Sequence, residues 1–434
     1  MDVPVTRRGR RSKGRPGWAE VVVVGAGTVG GWAAYFARVS GAERVVVLER
    51  HGAGEGASGS AAGVVRAQGA IPSTIVLGRW SIDFYRNQEG LLGTDSGFRQ
   101  VGYLILAVRH RDVDHARARM RLQRDAGIDV RWVDPAEARA LCPILAPEGH
   151  RGGTYLATDG YVDARRNVRA YTLALRLAGV ELRERTPFLG LRTTGGVRRA
   201  PRVTGVVTPR GTIATERVIL ATGPRLRSVG RELGLRIPVG VVRHQVAVSE
   251  PHRSLADPFP MGIDLGAGLY WRPESGGGLL WGMSNPYERA GEAREIDWAF
   301  LRRMRRRLSR FIPLARELGL RAVWAASTEF TPDHLPIVGP AIWPDGTAIE
   351  GLLVASAGGH GMMWGPAVSR IAADLALEGR TSVVDVSELG LDRFDDEGRS
   401  RFVNPLALPF PPSFGDEHED PEMAAGGCRG VRLE

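Results

Sequence analysis

Lysine is almost missing from this 434-residue chain: Lys13 stands alone among 58 basic side chains. Beyond the extreme N-terminus, chemistry that needs a lysine amine, such as a Schiff base, has no residue to use. Cysteine is as scarce. Cys142 and Cys428 lie far apart and outside any metal-ligand spacing, which excludes a disulfide framework and a zinc site and makes a reducing cytoplasm the default location. No apolar run approaches the ~20 residues that cross a bilayer. The basic start, MDVPVTRRGRRSKGRPG, leads into a glycine-interrupted strand rather than a signal-peptide core, so residues 1–17 read as a basic flexible leader. Acidic residues are in deficit, and the net charge is +10. Part of that excess is the leader; the rest is arginine spread along helical stretches such as LRRMRRRLSR (301–310). These read as solvated helix faces, so neither a nucleic acid nor a membrane is an expected partner.

At 43% hydrophobic and 24% charged, the remaining chain is globular in composition and long enough for two domains. Its strongest signal is AEVVVVGAGTVGGWAAYFARVSGAERVVVLER (19–50), a strand, turn, helix and second strand in sequence. Gly25 permits the sharp turn, Gly27 lets backbone approach phosphate, and Gly30 allows close helix–strand packing. The helix N-terminus through Thr28 and Val29 then faces a pyrophosphate. Glu49, at the end of the second strand and followed by Arg50, can bind ribose hydroxyls and repels a 2′-phosphate. NADP is disfavoured, leaving NAD or the ADP half of FAD.

Two further stretches separate those cofactors. GEGASGSAAGVVRAQG (54–69) is a second small-residue loop that includes Ser58, Ala62, Gly63 and Val64, and TERVILATGP (215–224) is an apolar strand ending in Ala221, Thr222 and Gly223. A nicotinamide dehydrogenase needs neither. A second full glycine fingerprint and a CxxxxC redox pair are both absent. FAD is therefore expected, with electrons coming from the substrate.

With these motifs in order, the chain resembles the D-amino-acid oxidase superfamily, in the branch of sarcosine and dimethylglycine oxidases and dehydrogenases. GYVDARRNVRAY (160–171), VVRHQVAVSEP (241–251), GLYWRPESGGGLLWGMSNPYE (268–288), FTPDHLPIVGP (330–340) and GLLVASAGGHGMMWGPAVSRIAADLALEG (351–379) carry the likeness. The resemblance implies an α/β fold: a Rossmann-like FAD-binding domain of the glutathione-reductase type with an inserted α+β substrate domain built on a mixed sheet. On this reading the FAD domain takes residues 18–85, 151–234 and 325–390. The substrate domain takes 86–150 and 235–324, and 391–434 form a C-terminal tail.

The resemblance also implies roles. Gly358, Gly359, His360, Gly361, Met362 and Met363 bring bare backbone and a helix N-terminus to the flavin, where the dipole stabilises developing negative charge by about 1–2 kcal/mol. Arg66 grips a substrate carboxylate with two parallel hydrogen bonds. Tyr270 turns its hydroxyl to the substrate, and His360 is the third catalytic candidate. His244, Trp281 and Trp364 are substrate-wall candidates, with Trp271 beside them. Relatives that tether FAD use a histidine before AAG or a cysteine upstream of TPD. Here those positions are Ser60 and Ala326, which implies FAD held without a covalent link; no metal is expected. Leu280 and Met363 replace the lysines of monomeric sarcosine oxidases, which implies a larger, more apolar substrate than sarcosine.

The expected reaction is oxidation of a C–N bond of a secondary or tertiary amine or amino acid by hydride transfer to flavin N5, giving an imine. Oxygen or another acceptor then reoxidises the flavin. The alternatives are a 2-hydroxy-acid or polyol-phosphate dehydrogenase on the same fold, a flavoprotein modifying a tRNA aminomethyl group, and a non-catalytic flavin subunit.

Overall fold

The run Val21–Val24 is apolar at every position because both faces of its strand are covered. It lies at the centre of a nine-stranded sheet, paired in parallel with Val45–Leu48 on one side and Val218–Leu220 on the other. Ala348–Ser356 adds in parallel beyond Val218–Leu220, and Glu181–Arg183 closes the opposite edge. Three helices, Thr28–Val39, Ala164–Ala178 and Gly361–Glu378, belong to this sheet's layer. Their contacts are close: a Cβ on Gly31 would meet the Tyr171 ring at 2.6 Å, and one on Gly365 would lie 3.0 Å from Thr28 Cγ2. These features match the expected α/β fold of the cofactor part. The computed structural model describes residues 17–196 and 199–409. Residues 1–16 of the expected leader, most of the expected tail and Cys428 lie outside the described residues.

A second sheet of eight strands runs Leu320–Phe330, Gly240–Ser249, Gly278–Met283, Leu269–Glu274, Met261–Asp264, Tyr103–Leu106, Gly153–Leu156 and Arg131–Val133. It is mixed, as expected: Met261–Asp264 pairs in parallel with Tyr103–Leu106, while its other ladders are antiparallel. Period-two alternation sorts its side chains. Tyr103, Ile105, Val246, Val248, Ile263, Tyr270 and Leu280 share one face. Leu104, Leu106, Ala247, Trp271 and Trp281 take the other, where they pack on the helix Trp298–Leu308.

Some expected boundaries fall inside continuous elements. The break at 85/86 lies within the helix Pro72–Leu92, and that at 324/325 lies within the strand Leu320–Phe330. Gly153–Leu156, expected in the FAD domain, pairs in the second sheet. An unbroken helix in the first case and ladders formed with distant strands in the other two hold these stretches together, and composition carries no trace of them. The described part of the tail is also packed: the Arg393 side chain is fully buried against Asp333, and Leu406 is 2% exposed. Among the described residues no helix is long and apolar enough to cross a membrane.

Candidate active site

A long cavity runs from the glycine turn of the first sheet to the inner face of the second. At its first end the backbone geometry requires glycine. Gly25 has φ 101°, and its Cβ would lie 2.4 Å from the carbonyl oxygen of Ala221. A Cβ on Gly30 would sit 1.9 Å from Gly25 O, so Gly30 serves helix–strand packing and does not line the cavity. The helix Thr28–Val39 begins at Gly27 without a side-chain cap of its own. Ser58, from the small-residue loop, accepts the Thr28 amide at 2.9 Å. Glu49 is oriented by two amides: Ala26 N donates to Oε2 and His51 N to Oε1, both at 2.9 Å. First-turn helix amides beyond the one taken by Ser58, bare backbone and a fixed carboxylate fit a pyrophosphate and a ribose.

Midway, Ala221, Thr222, Gly223, Ser58, Ala62, Gly63 and Val64 line the walls, as does Arg50. The helix Gly361–Glu378 points its N-terminus into the same space, with Gly359, His360, Gly361, Met362 and Met363 on the lining. Gly358 (φ 57°) and Gly359 (φ 84°) are left-handed, and a Cβ on either would come within 2.7 Å of a carbonyl oxygen. This end can accept a flat ligand that carries negative charge. Ser60 and Ala326, which stand at the two positions where the resemblance would put a covalent tether, both line the cavity.

The far end gathers polar groups in an apolar frame. Arg66 is 5% exposed and donates from Nη1 to Gln68 O. Gln68 is held in turn: its Nε2 donates to Tyr103 O at 3.0 Å and to Asp159 Oδ2 at 3.1 Å, and its Oε1 accepts from Thr154. The Ala67 amide donates to Asp159 Oδ1 at 2.8 Å. Burial pushes the Asp159 carboxyl up to about 7, against the pull of those donors and of Arg66.

His360 Nδ1 lies 3.0 Å from Gly358 O, a pure acceptor, so the ring's proton sits on Nδ1 and Nε2 keeps its lone pair. Burial first, then the charge of Arg66, holds its pKa down to about 3. His244 Nε2 meets Tyr270 Oη at 2.8 Å with the rings stacked, and burial lowers this histidine to about 4. Both histidines are therefore neutral at ordinary pH. Burial raises the Tyr270 hydroxyl, which stays protonated.

The structure thus brings Arg66, His244, Tyr270 and His360 to one cavity. It does not bring the tryptophans. Trp271 and Trp281 form a cross-strand pair on the outer face of the second sheet, and Trp364 packs on His360 at 4.4 Å without lining the cavity. The expected wall containing Trp281 and Trp364 is corrected: Trp271 follows Tyr270 in a strand and so faces the opposite way together with its cross-strand partner Trp281, while Trp364 is buried in the helix Gly361–Glu378. Tyr103, Val246, Ile263, Glu329 and Leu408 line the cavity and were not foreseen from the sequence. Alternation would have placed Val246 with His244, but only the strand order brings Tyr103 and Ile263 beside Tyr270.

A model of the DAO family, FAD dependent oxidoreductase, matches residues 20–375. The chain is 25% identical over 397 residues to 4-methylaminobutanoate oxidase (formaldehyde-forming) of Paenarthrobacter nicotinovorans, covering 89% of this chain but only 47% of that protein. The chain thus spans about half the length of that relative. It is 29% identical to glycine oxidase of Pseudomonas aeruginosa, covering 84% of this chain and 96% of the relative. Among solved structures, L-proline dehydrogenase from P. horikoshii superposes with a TM-score of 0.77 at 25% identity, covering 85% of this chain and 96% of that one.

Proposed function

Since the chain belongs to the DAO family of FAD-dependent oxidoreductases, we propose that it oxidises the C–N bond of a secondary or tertiary amine that carries a carboxylate, in the cytoplasm. The observation that carries this reading is the pairing of one buried guanidinium, Arg66, with two histidines kept neutral at the same end of the cavity. FAD, held without a covalent link, supplies the acceptor for the hydride that leaves the carbon next to nitrogen, and oxygen or another acceptor restores it.

The protein's own groups bind and orient. Arg66 takes the carboxylate through parallel hydrogen bonds, which also fixes the adjacent carbon. Burial, and after it the charge of Arg66, keeps His360 neutral, and the same burial disfavours an ammonium on the substrate. The amine thus binds in its neutral form, with the lone pair that the oxidation needs. Tyr270, its hydroxyl bonded to His244, and the lone pair on His360 Nε2 are the groups that can hold the amine. Met362, Met363 and Val246 supply an apolar surround suited to an N-alkyl group. The first sheet serves as the cofactor domain and the second as the substrate domain.

The test is an anaerobic titration of the purified flavoprotein with N-methyl and cyclic amino acids and, in parallel, with 2-hydroxy acids. Bleaching of the flavin's visible band by an amine is the expected result. Bleaching by a hydroxy acid with none by any amine overturns the assignment.

A further inference from the structure

The family match ends at residue 375, yet the chain returns to the cavity more than thirty residues later. The return path is pinned along its length. Arg393 and Asp333 form an ion pair with both side chains at 0% exposure, and Ser400 Oγ donates to the same carboxylate at 2.6 Å. Asn404 Nδ2 reaches the carbonyl of His334 at 3.4 Å, while its own Oδ1 accepts the Leu406 amide at 2.9 Å and sets the turn. Leu406 is buried, and Pro409 lies against the tight turn at Gly268, whose Cβ would be 3.0 Å from the proline ring. Leu408, between them, packs on the inner face of the second sheet and lines the cavity with Tyr270, Val246 and Ile263.

We infer that Leu408 is a specificity-determining residue, the outer wall of the substrate end, which limits how long an apolar substituent the bound carboxylate can carry. The inference rests on the proposal that Arg66 grips that carboxylate. With one end of the ligand fixed at a buried arginine, the free length toward Leu408 decides which chain fits. The side chain is half-buried and apolar, so it rejects bulk sterically and adds no polar selection. Its placement depends on the Asp333 and His334 anchors, which belong to the TPDHLP segment whose Leu335 carbonyl and Thr331 hydroxyl lie against the backbone of Gly358. Cofactor loop and substrate wall are thereby built as one unit.

The experiment uses the full-length flavoprotein and straight-chain carboxylates from acetate to octanoate, with binding read from the shift of the flavin's visible band. These ligands carry no amine, so the readout is independent of turnover. Leu408→Ala is expected to move the best-bound chain length upward, each methylene entering the freed space tightening binding about fourfold. Leu408→Trp is expected to move it downward. Val403→Ala, at a residue 83% exposed in the same segment, leaves the profile as in the wild type. An unchanged length profile in both Leu408 variants, or a uniform weakening at every length, overturns the inference. If no amine reduces the flavin but the Leu408-dependent limit persists, the reaction assignment fails and the wall stands.

Discussion

Replacing Asp333 by asparagine tests the link between the cofactor loop and the returning C-terminal segment. The carboxylate takes Arg393 Nε at 2.7 Å on one oxygen and Nη2 at 3.2 Å on the other, a two-point pairing with both side chains fully buried. The Ser400 hydroxyl and the Leu335 amide, at 2.6 and 3.1 Å, fill the remaining acceptor positions. Asparagine presents an NH2 group where two donors already point, and it leaves the guanidinium charged, buried and unpaired. Carbonyls of Gly390 and Leu335 still accept from Arg393, and the Phe394 ring lies 4.2 Å away, but none of these carries a charge. Breaking one side of a buried ion pair costs about 3–5 kcal/mol, or roughly two to three-and-a-half orders of magnitude in the folding equilibrium. The double replacement Asp333→Leu with Arg393→Met removes both charges and is expected to cost much less. Removing the exposed Arg399–Asp395 pair (72% and 44% exposed) sets the background, with an expected effect below about 1 kcal/mol. Urea unfolding of the flavin-loaded protein, followed by tryptophan fluorescence, measures all four proteins. An Asp333→Asn variant within about 1 kcal/mol of wild type, or a double variant worse than the single, refutes the reasoning.

Three other outcomes are expected. Arg66→Gln weakens binding of carboxylate ligands by about 30- to 5,000-fold, since a buried charge-assisted pair is worth roughly 2–5 kcal/mol, and Arg66→Lys restores little because the two-point geometry is lost; spectral titration with acetate checks both. Gly359→Ala places a side chain at φ 84° and 2.7 Å from the Glu329 carbonyl oxygen, so the purified protein should retain much less flavin per chain, as read from its absorbance ratio. Asp159, raised to about 7, gains charge as pH rises through neutrality and then offsets Arg66, so acetate affinity should fall across that range in wild type and stay flat in Asp159→Asn. The stability linkage has a matching sign: because the folded-state pKa lies above the unfolded value, this group's contribution is present at low pH and lost as pH rises through about 7.

The cofactor half of the site was legible because its requirements are local. A tight turn, a bare approach to phosphate and a strand-ending acid each need a particular residue at a fixed offset, and Gly25, Gly27 and Glu49 stand at those offsets. The same holds for Gly358 and Gly359, whose left-handed backbone is demanded within a few residues of chain. Arg66, Tyr270 and His244 were found through resemblance, and their placement at one cavity was not contained in their spacing. The tryptophans show why: an indole in a promising segment lines a cavity or fills a core according to strand parity, and Trp281 has the wrong parity.

What the amino-acid order determined alone is the set of short-range features: the buried parallel strand, the glycine turn, the absence of usable lysine and thiol. What only the tertiary structure decided is which distant groups meet. Tyr103 and Ile263 come together because their strands pair in parallel, the Asp159 carboxyl is pushed up to about 7 because its burial outweighs the pull of Gln68 and Arg66, and Leu408 reaches the cavity because Arg393 and Asn404 anchor its approach. Each is a contact across many residues, and its energy depends on burial and charge environment that no local window of sequence contains.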